Sequence, residues 1–356
     1  MCSISTGNKN TQDKIDDGIY PFYVRSQTVE RINSWTFDGE AILTAGDGVG
    51  VGKVFHHTYG KIGVHQRVYI LSDFKCDANY LFHFFSSKFY NRVKRMSAKN
   101  SVDSVRKEMI TDMPLSLPSH QEQVKIGYLL SLLDERIATQ NKIIDKLQSL
   151  IKGLNDSLYA QYGDKVLTSF AELGTSYSGL SGKSAQDFGS GKPFITYLNV
   201  YSNNVINEND FQYVAIKNGE KQNIVEYGDV LFTLSSETPE EVGIGSVYLG
   251  KEKVYLNSFC FGIHITNMEV AFPPYLSYYV SSTAFRKFIY PYAQGSTRFN
   301  LCKADFEKAS IKLPTLENQK RILSILSHID SKIETEIQML NLYNSQKQYL
   351  LRQMFI

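Results

Sequence analysis

The feature that most constrains this chain is a long internal repeat. The segment Leu115-Ser-Leu-Pro118 matches Ile311-Lys-Leu-Pro314, and the two prolines are 196 positions apart. The same spacing joins further residues downstream: Gln123 and Gln319, Lys125 and Arg321, Ile126 and Ile322, Leu130 and Leu326, Asp134 and Asp330, Ile137 and Ile333. A repeat of this length predicts two copies of one structural unit.

Matches upstream of these segments occur in the same order in both halves. They pair Thr6-Gly7 with Ser178-Gly179, Glu40-Ala-Ile-Leu-Thr44 with Asp229-Val-Leu-Phe-Thr233, Gly50-Val-Gly52 with Gly243-Ile-Gly245, and Tyr80-Leu81 with Tyr275-Leu276. Short β-rich runs alternate with turn residues in both halves. Each half is therefore predicted to be an α/β module followed by a long helix, with modules at 1–117 and 162–313 and helices at 118–161 and 314–356.

Both predicted helices carry a heptad pattern. The first begins after Pro118, where Ser119 and Glu122 have the spacing of a capping box. Its apolar seam consists of Ile126, Leu130, Leu133, Ile137, Ile144, Leu147, Ile151, Leu154 and Leu158. The seam of the second helix consists of Ile322, Leu326, Ile329, Ile333, Leu340, Tyr343, Leu350 and Met354. We expect the helices to pair as an antiparallel coiled coil, because a duplicated chain favours a pseudo-two-fold axis. The alternative is that each seam packs on its own module.

Composition and charge allow a DNA-binding protein without requiring one. The net charge is only +2, but the stretch from Lys88 to Lys107 holds seven basic residues and the single acid Asp103. This cluster could neutralise phosphates or form a solvated helix face. The four cysteines lack metal-ligand spacing, the N-terminus lacks a signal-peptide pattern, and no apolar run is long enough to span a bilayer. We therefore expect a cytoplasmic protein with no membrane partner and no metal site.

The sequence lacks intact motifs for catalysis. Phe272-Pro-Pro-Tyr275 is similar to the motif of amino-methyltransferases, but Phe272 cannot hydrogen-bond a target amine. The glycine-rich 46–53 segment lacks the first glycine of a phosphate-binding loop and the hydroxyl residue after Lys53. We interpret this segment as a turn-rich connection that could expose backbone amides near a phosphate. No catalytic residue is therefore predicted in this chain.

The repeated segments resemble the specificity subunit of type I restriction–modification enzymes. In the second half the resemblance is carried by Gly295-Ser-Thr-Arg298, Ile311-Lys-Leu-Pro314, Asn318-Gln319 and Asp330-Ser-Lys-Ile333. In the first half it is carried by Tyr20-Pro-Phe-Tyr-Val-Arg-Ser26, Phe37-Asp-Gly-Glu-Ala-Ile-Leu43, Ser116-Leu-Pro118, Glu122-Gln123 and Leu132-Leu-Asp134-Glu-Arg-Ile137. It extends over essentially the whole chain. One departure is that the second module has a leader at Val166 to Leu173, whereas Thr6-Gly7 lies almost at Met1, so we expect the first module to be short of about one strand.

The resemblance implies two target-recognition domains that each recognise one half of a bipartite DNA site, with the paired helices setting the gap. It also implies docking of two modification subunits, which bring S-adenosylmethionine and methyl transfer, and in some complexes two restriction subunits, which use ATP and Mg²⁺. This chain itself would hold no cofactor and would be non-catalytic, although the assembled complex would be a site-specific endonuclease and adenine methyltransferase. The alternative function is a coiled-coil structural adaptor that does not recognise DNA.

Candidate DNA contacts are polar and basic residues in predicted loops, because Arg, Asn, Gln, Ser and Thr contact base edges while Lys and Arg contact phosphates. In the first module they are Lys9, Asn10, Arg25, Ser26, Gln27, Lys53, His57 and Arg67. In the second module they are Lys183, Tyr197, Asn199, Ser235, Glu237, Arg298 and Asn300. We expect Arg298 to contribute most, because small neighbours let a backbone approach it. The alternative is that these side chains are solvated or bonded within their own module.

Overall fold

A computed structural model describes residues 1–97, 104–162 and 165–355. The chain divides into two compact units. Unit 1 comprises Met1–Lys142 and Ile337–Ile356, and unit 2 comprises Ile143–Glu336. Each unit therefore contains one module and a part of each long helix. No helix in the described ranges is long and apolar enough to cross a membrane.

Unit 1 is built on a six-stranded sheet with the order β1-β6-β4-β5-β2-β3. Its strands are β1 (Ser3–Thr6), β2 (Tyr20–Tyr23), β3 (Val29–Ile32), β4 (Phe37–Ala45), β5 (Phe55–Val64) and β6 (Val68–Ser72). Neighbouring strands are antiparallel except β2 and β5, which pair in parallel. The helices α1 (Ala78–Met96) and α2 (Lys107–Thr111) contribute Phe85, Phe89 and Met109 to a core cluster with Ile42 and Leu71 of the sheet.

Unit 2 holds several smaller sheets, with the orders β13-β11-β15-β8, β10-β9-β14, β12-β17-β16 and β18-β7. After the long helix α3 (His120–Gln161), its strands are β7 (Lys165–Thr168), β8 (Gly174–Ser178), β9 (Phe188–Ile195), β10 (Gln212–Val214), β11 (Val230–Thr233), β12 (Ser235–Ser236), β13 (Gly245–Val247), β14 (Tyr255–Leu256), β15 (Cys260–Ile265), β16 (Ala293–Gln294), β17 (Phe299–Leu301) and β18 (Ile311–Pro314). Its helices are α4 (Phe170–Leu173), α5 (Tyr197–Ser202), α6 (Pro273–Tyr279), α7 (Thr283–Ile289), α8 (Lys303–Lys308) and the long α9 (Leu316–Met354). The mixed α/β fold with two long helices is confirmed, whereas the four-part division of the chain stays a prediction.

The start of α3 has the predicted capping box. The amide of Ser119 donates to Glu122 Oε2 at 2.9 Å, and the amide of Glu122 donates to Ser119 Oγ at 3.4 Å. These two bonds satisfy amides that the helix itself leaves unpaired.

In unit 1, the beginning of α3 packs against the end of α9. Leu130 and Leu133 form a core cluster with Phe355, and Leu350 and Met354 pack against it. Further along, Asp134 accepts a hydrogen bond from Lys347, and Arg136 and Gln140 line a cleft with Tyr343. As residue numbers increase along α3, the numbers of the contacting residues decrease along α9. The two segments are therefore antiparallel within this unit.

In unit 2, the end of α3 packs against the beginning of α9. Leu158 is buried in one cluster with Ile322 and Leu326, and Ile151 lines a cleft with Ile333. The predicted seam residues are buried or half-buried throughout both units. Two aromatic positions beyond the predicted seam were missed, namely Tyr159 against Tyr279 in unit 2 and Phe355 against Tyr80 and Phe84 in unit 1.

The repeated glutamines explain why the segment around each helix start is so similar. In unit 1, the side-chain amide of Gln123 donates to Pro118 O at 2.9 Å, and its Oε1 accepts from the Asp77 amide at 3.1 Å. In unit 2, Gln319 donates to Pro314 O at 2.8 Å and accepts from the Phe272 amide at 2.8 Å. Asp77 and Phe272 are the N-cap residues of α1 and α6. Each glutamine therefore ties a long helix to the first helix of its module through backbone groups.

Candidate nucleic-acid interface

In unit 1, three loops at one edge of the sheet bring two arginines to one carboxylate. Arg25 follows β2, Asp47 follows β4, and Arg67 lies in the turn between β5 and β6. Arg25 Nη1 donates to Asp47 Oδ1 at 3.0 Å, and Arg67 Nε lies 3.7 Å from Asp47 Oδ2. The two arginine side chains remain 44% and 65% exposed. Asp47, which the sequence did not single out, therefore holds two cations in place while leaving the edge positively charged.

Lys9 and Asn10 join the same edge through the 65–67 turn. Lys9 forms a parallel bridge with His65, and Gln66 Nε2 donates to Asn10 Oδ1 at 2.7 Å. Burial and the nearby Arg25 lower the pKa of His65, so its neutral ring accepts the Arg67 amide at Nδ1, at 3.0 Å. His65 is thus a structural residue that shapes the turn, while the side chains of Asn10 and Arg67 stay exposed.

The 46–54 loop is turn-rich, as predicted, but several of its amides are already used. The amides of Val51, Lys53 and Val54 donate to backbone carbonyls within the loop at 2.9–3.1 Å. Lys53 is exposed and lies 5.1 Å from the centre of the Tyr90 ring. Ser26 and Gln27 are exposed on the neighbouring loop, so the loop contributes side chains rather than those three amides to the edge.

His57 does not belong to this edge. It lies within β5, opposite Ile42 of β4. Its Nε2 is 3.0 Å from Glu40 Oε1, and its ring stacks on Phe82 of α1 at 5.6 Å. These contacts give His57 a structural role, in place of the DNA contact that the sequence predicted.

In unit 2, a hairpin and a short strand assemble a second polar edge. Ser235 of β12 pairs with Asn300 of β17, and the hairpin between β16 and β17 turns through Gly295. Gly295 has φ 142, and a Cβ there would lie 2.1 Å from Arg298 O, so only glycine fits this close turn. Arg298 and Asn300 are exposed at this hairpin.

Tyr197 lies beside the hairpin. Its hydroxyl donates to Ser235 O at 2.8 Å, and its pKa is raised by burial while the charge of nearby Arg298 lowers it. Glu237 is exposed next to β12, whereas the side chain of Ser235 is buried. The structure therefore groups Tyr197, Glu237, Arg298 and Asn300, with Ser235 serving as part of their scaffold.

Two predicted contacts in unit 2 are structural residues instead. The side chain of Lys183 is 5% exposed and lies 2.5 Å from Glu220 and 2.6 Å from Ala215 O. Asn199 is 3% exposed and exchanges hydrogen bonds with the backbone of Asn207 at 2.8 and 3.0 Å. The sequence showed their polarity but not their burial, so neither side chain is accessible to a base.

The two edges occupy equivalent positions in the duplicated modules. The Val105 amide donates to Gly46 O at 2.7 Å in unit 1, and the Leu301 amide donates to Leu234 O at 2.8 Å in unit 2. In both units the accepting residue comes directly after the matched strand of the repeat, β4 or β11. Asp47 also bridges Ser104, the repeat equivalent of Asn300. The two modules thus carry different polar side chains on the same arrangement of backbone.

The described part of the basic stretch from Lys88 to Lys107 borders a cleft beside α1. Lys88, Arg92 and Arg95 lie on one side of α1 and line a cleft with apolar residues. Arg92 is committed to the carbonyls of Met109 and Asp112 at 2.8 and 2.7 Å. Lys99 and Asp103 of this prediction lie outside the described residues. Within residues 1–97, 104–162 and 165–355, no group of three or more His, Cys, Asp or Glu side chains could hold a metal ion.

Comparison with known proteins identifies the family. The family model described as the type I restriction modification DNA specificity domain matches residues 1–149 and 172–342. The chain belongs to this family. The Escherichia coli protein named type I restriction enzyme EcoDI specificity subunit is 27% identical over 152 residues, which is 43% of this chain and 33% of that protein. The Methanocaldococcus jannaschii protein named putative type I restriction enzyme MjaX specificity subunit is 26% identical over 281 residues, which is 71% of this chain and 60% of that protein.

Solved structures with low sequence identity share the fold. The S subunit of a type I restriction–modification system from M. genitalium superposes with a TM-score of 0.60 at 15% identity, covering 100% of this chain and 94% of that one. A structure described as bearing on complex assembly and conformational transition of the type I restriction–modification system superposes with a TM-score of 0.57, also at 15% identity, covering 92% and 83%. The chain thus spans about a third of the E. coli relative and three-fifths of the M. jannaschii relative, but nearly all of the M. genitalium structure.

Proposed function

We propose that this chain is the DNA-recognition subunit of a type I restriction–modification complex and that each module recognises one half of a bipartite site. The observation that carries the proposal is the pair of equivalent edges, one at Arg25, Asp47 and Arg67 and one at Tyr197, Arg298 and Asn300. Family membership supports the same function. Guanidinium and amide groups on exposed loops are suited to base edges, and the lysines beside them are suited to phosphates.

The long helices act in this proposal as the spacer between the half-sites. The antiparallel packing within each unit supports one continuous antiparallel coiled coil, which also docks two modification subunits. The chemistry belongs to those partners: they supply S-adenosylmethionine and methyl transfer, and restriction subunits, where present, supply ATP- and Mg²⁺-dependent cleavage. This chain is non-catalytic and acts in the cytoplasm on double-stranded DNA.

Methylation-site mapping by sequencing tests the function directly, in cells that carry this chain and its modification partner. Arg298→Ala should relax or weaken recognition at one half-site only, with a loss of about tenfold to a hundredfold in affinity if the contact is to a base. Arg67→Ala should affect only the other half-site. Arg321→Ala is the matched control, since Arg321 lies on α9 and pairs with Glu317 on the helix surface.

The results separate this function from the alternative. A structural adaptor predicts no salt-dependent DNA binding and no effect of either edge variant. If Arg298→Ala changes both half-sites equally, the assignment of one half-site to each module is wrong.

The spacer role has its own test. Inserting four residues after Ile144 and four after Leu340 lengthens each helix by about 6 Å, since the rise is about 1.5 Å per residue. The mapped site should keep both half-sites and gain about two base pairs of gap at about 3.4 Å each. An unchanged gap in an active complex would show that the helices do not set the spacing.

A further inference from the structure

The turn that carries Arg67 in unit 1 is repeated in unit 2, where Phe259 takes the place of the arginine. The Arg67 amide donates to Nδ1 of His65 at 3.0 Å, and the Phe259 amide donates to Oδ1 of Asn257 at 2.9 Å. The carbonyls of Arg67 and Phe259 accept from the amides of the residues directly after β4 and β11, at 2.7 and 2.9 Å. The same backbone bonds therefore hold a guanidinium in one module and a phenyl ring in the other.

Arg25 also has a counterpart, namely Tyr197. Each of them is the second residue after a matched strand, β2 or β9. Asp47 and Ser235 are likewise the second residues after β4 and β11. Arg25 donates to the Asp47 carboxylate at 3.0 Å, and the Tyr197 hydroxyl donates to the Ser235 carbonyl at 2.8 Å. The same positions therefore meet in both modules, but two cations and a carboxylate in unit 1 are replaced by two aromatics and a serine in unit 2.

The guanidinium groups of unit 1 have most of their donors left for a ligand. Among the described residues, the Arg25 side chain donates only to Asp47, and the Arg67 side chain has only Asp47 as a partner, at 3.7 Å. A guanidinium has several N–H donors in a planar fork. An exposed ion pair adds little stability. The main effect of Asp47 is therefore to fix where the two forks lie.

Glycines allow the Asp47 loop to approach both arginine segments. A Cβ on Gly46 would lie 2.9 Å from Arg67 O, and a Cβ on Gly50 would lie 2.2 Å from Arg25 O. Gly48, between them, has φ 77, a conformation that favours glycine. The glycine-rich 46–53 segment, which lacks the residues of a phosphate-binding loop, therefore serves to bring Asp47 between the two arginines.

We propose that Arg25 and Arg67, oriented by Asp47, recognise guanine in the half-site of unit 1, and that Phe259 contacts a thymine methyl group in the half-site of unit 2. In the major groove, guanine presents two acceptors that match a guanidinium fork, whereas thymine presents a methyl group that matches an apolar side chain. Phe259 is 56% exposed, so its ring is accessible to such a group. Base selection of this kind rests on the proposed function, because it requires each module to recognise its own half-site.

Reciprocal substitutions test the selected bases in the complex of this chain with its modification partner. In methylation-site mapping, Arg67→Phe should change one half-site only, at a guanine, and the preference for that guanine should fall about tenfold or more. Phe259→Arg should change the other half-site only, at a thymine. Arg31→Phe and Tyr213→Arg place the same new side chains at exposed positions of β3 and β10, and these controls should leave both half-sites unchanged.

Modified bases identify the atoms that are contacted. A duplex with 7-deazaguanine, which lacks the N7 acceptor, should bind the parent complex about fivefold more weakly than the unmodified site. The Arg67→Phe complex should bind the two duplexes equally, because its contact to that atom is already lost. Uracil in place of thymine removes one methyl group and should weaken binding by the parent about threefold, but it should not weaken binding by Phe259→Ala.

Asp47→Asn tests whether Asp47 is a positioning residue. The amide has nearly the size of the carboxylate but lacks the charge that holds both arginines, so the preference for guanine should fall about fivefold. Affinity for a duplex without the site should rise about twofold at low salt, because the two cations then face the phosphates without a neighbouring anion. A loop that is merely destabilised would lose affinity for both duplexes.

The outcomes separate this base selection from the proposed function. If the parent complex methylates no specific site, both are wrong. If it methylates a bipartite site, but guanine selection survives Arg67→Phe or binding is insensitive to 7-deazaguanine and uracil, the base selection alone is wrong. A loss of affinity for both duplexes in Asp47→Asn would show that Asp47 supports the folding of its loop rather than the orientation of the arginines.

Discussion

Unit 1 and unit 2 place the same carboxylate of the repeat against different partners. In unit 1, Asp134 of α3 accepts a hydrogen bond from Lys347 of α9 and lies 3.7 Å from His83 of α1. In unit 2, Asp330 occupies the equivalent position and accepts a hydrogen bond from Tyr278, the equivalent of His83. The equivalent of Lys347 is the apolar Ile151, which lines a cleft with Asp330. The junction, meaning the contact of α3 with α9 at this carboxylate, is thus ionic in unit 1. In unit 2 the position of Lys347 holds the uncharged Ile151 instead.

The difference shows which contacts define the repeated frame, meaning the backbone arrangement that both units share. Gln123 and Gln319 bond to backbone groups, which every sequence supplies, so both bonds of Gln123 recur at Gln319, which adds a third bond to Val270 O. The partners of Asp134 and Asp330 are side chains, and they have diverged. Burial raises the pKa of Asp330, because it removes water from the carboxylate, and the hydrogen bond from Tyr278 only partly opposes this. The frame therefore depends on side chain–backbone bonds, and the charge pattern around it can vary.

The largest effect is expected at Phe170, a core aromatic of α4 in unit 2. Phe170→Ala should destabilise unit 2 by about 3–5 kcal/mol, since the substitution removes a fully buried ring and leaves a void. Hydrogen exchange resolved by unit measures the loss, because a chain of two units need not unfold in one step. The control Leu167→Ala, at a side chain 64% exposed, should cost under about 1 kcal/mol. Equal losses in both variants would show that α4 does not support the core.

The next effect concerns the matched glutamines. Gln319→Met should cost unit 2 about 3 kcal/mol, because it leaves the Phe272 amide and the Val270 and Pro314 carbonyls without their partner. Gln123→Met should cost unit 1 about 2 kcal/mol, since two backbone groups are affected there. The same hydrogen-exchange measurement compares them. A larger loss in unit 1 would contradict the view that the number of backbone partners sets the strength of this junction.

Much of the fold was accessible from the sequence because repetition and heptad periodicity are local signals. The capping box at Ser119 and the seam residues follow from spacing alone. The hairpin at Gly295 could also be anticipated, since small residues flank Arg298. The roles of Lys183 and Asn199 could not, because both are polar residues whose partners, Glu220 and Asn207, are brought to them only by the folded chain. Asp47 was missed for the same reason, since Arg25 and Arg67 reach it from two other loops.

Replacing His83 by tyrosine, as in unit 2, tests whether the junction of unit 1 is pH-sensitive. Burial lowers the pKa of His83 from 6.5 to about 4, and the charge of Lys347 contributes while that of Asp134 opposes. The unfolded chain takes up a proton near pH 6.5 and the folded chain only near pH 4, so unit 1 loses stability as pH falls through this window. The part of the loss that comes from His83 amounts to about 2–3 kcal/mol, and His83→Tyr should remove that part, while His56 and His65, whose pKa values are also lowered, keep their contributions.

The control for this prediction is His120→Tyr, which changes an exposed histidine on α3. Hydrogen exchange of unit 1 between pH 7 and pH 4 provides the measurement. The control should keep the pH dependence of the parent. If His83→Tyr keeps it as well, the acid sensitivity of unit 1 arises elsewhere, and the two junctions do not differ in the way described.

The smallest effect is expected for the ion pair that distinguishes the junctions. Lys347→Met makes unit 1 apolar at this seam position, as unit 2 is at Ile151. The stability of unit 1 should fall by under about 1 kcal/mol, because the Lys347 and Asp134 side chains are 23% and 34% exposed and water replaces part of the lost attraction. The pKa of His83 should rise, since a nearby cation is removed while Asp134 remains, and NMR titration of the imidazole measures this. Lys332→Met, at an exposed lysine paired with Glu336 along α9, is the matched control and should leave that pKa unchanged. A loss above about 2 kcal/mol in Lys347→Met would mean that the ion pair, rather than the glutamine contacts, holds α9 in unit 1, and the frame inferred from the two units would then be wrong.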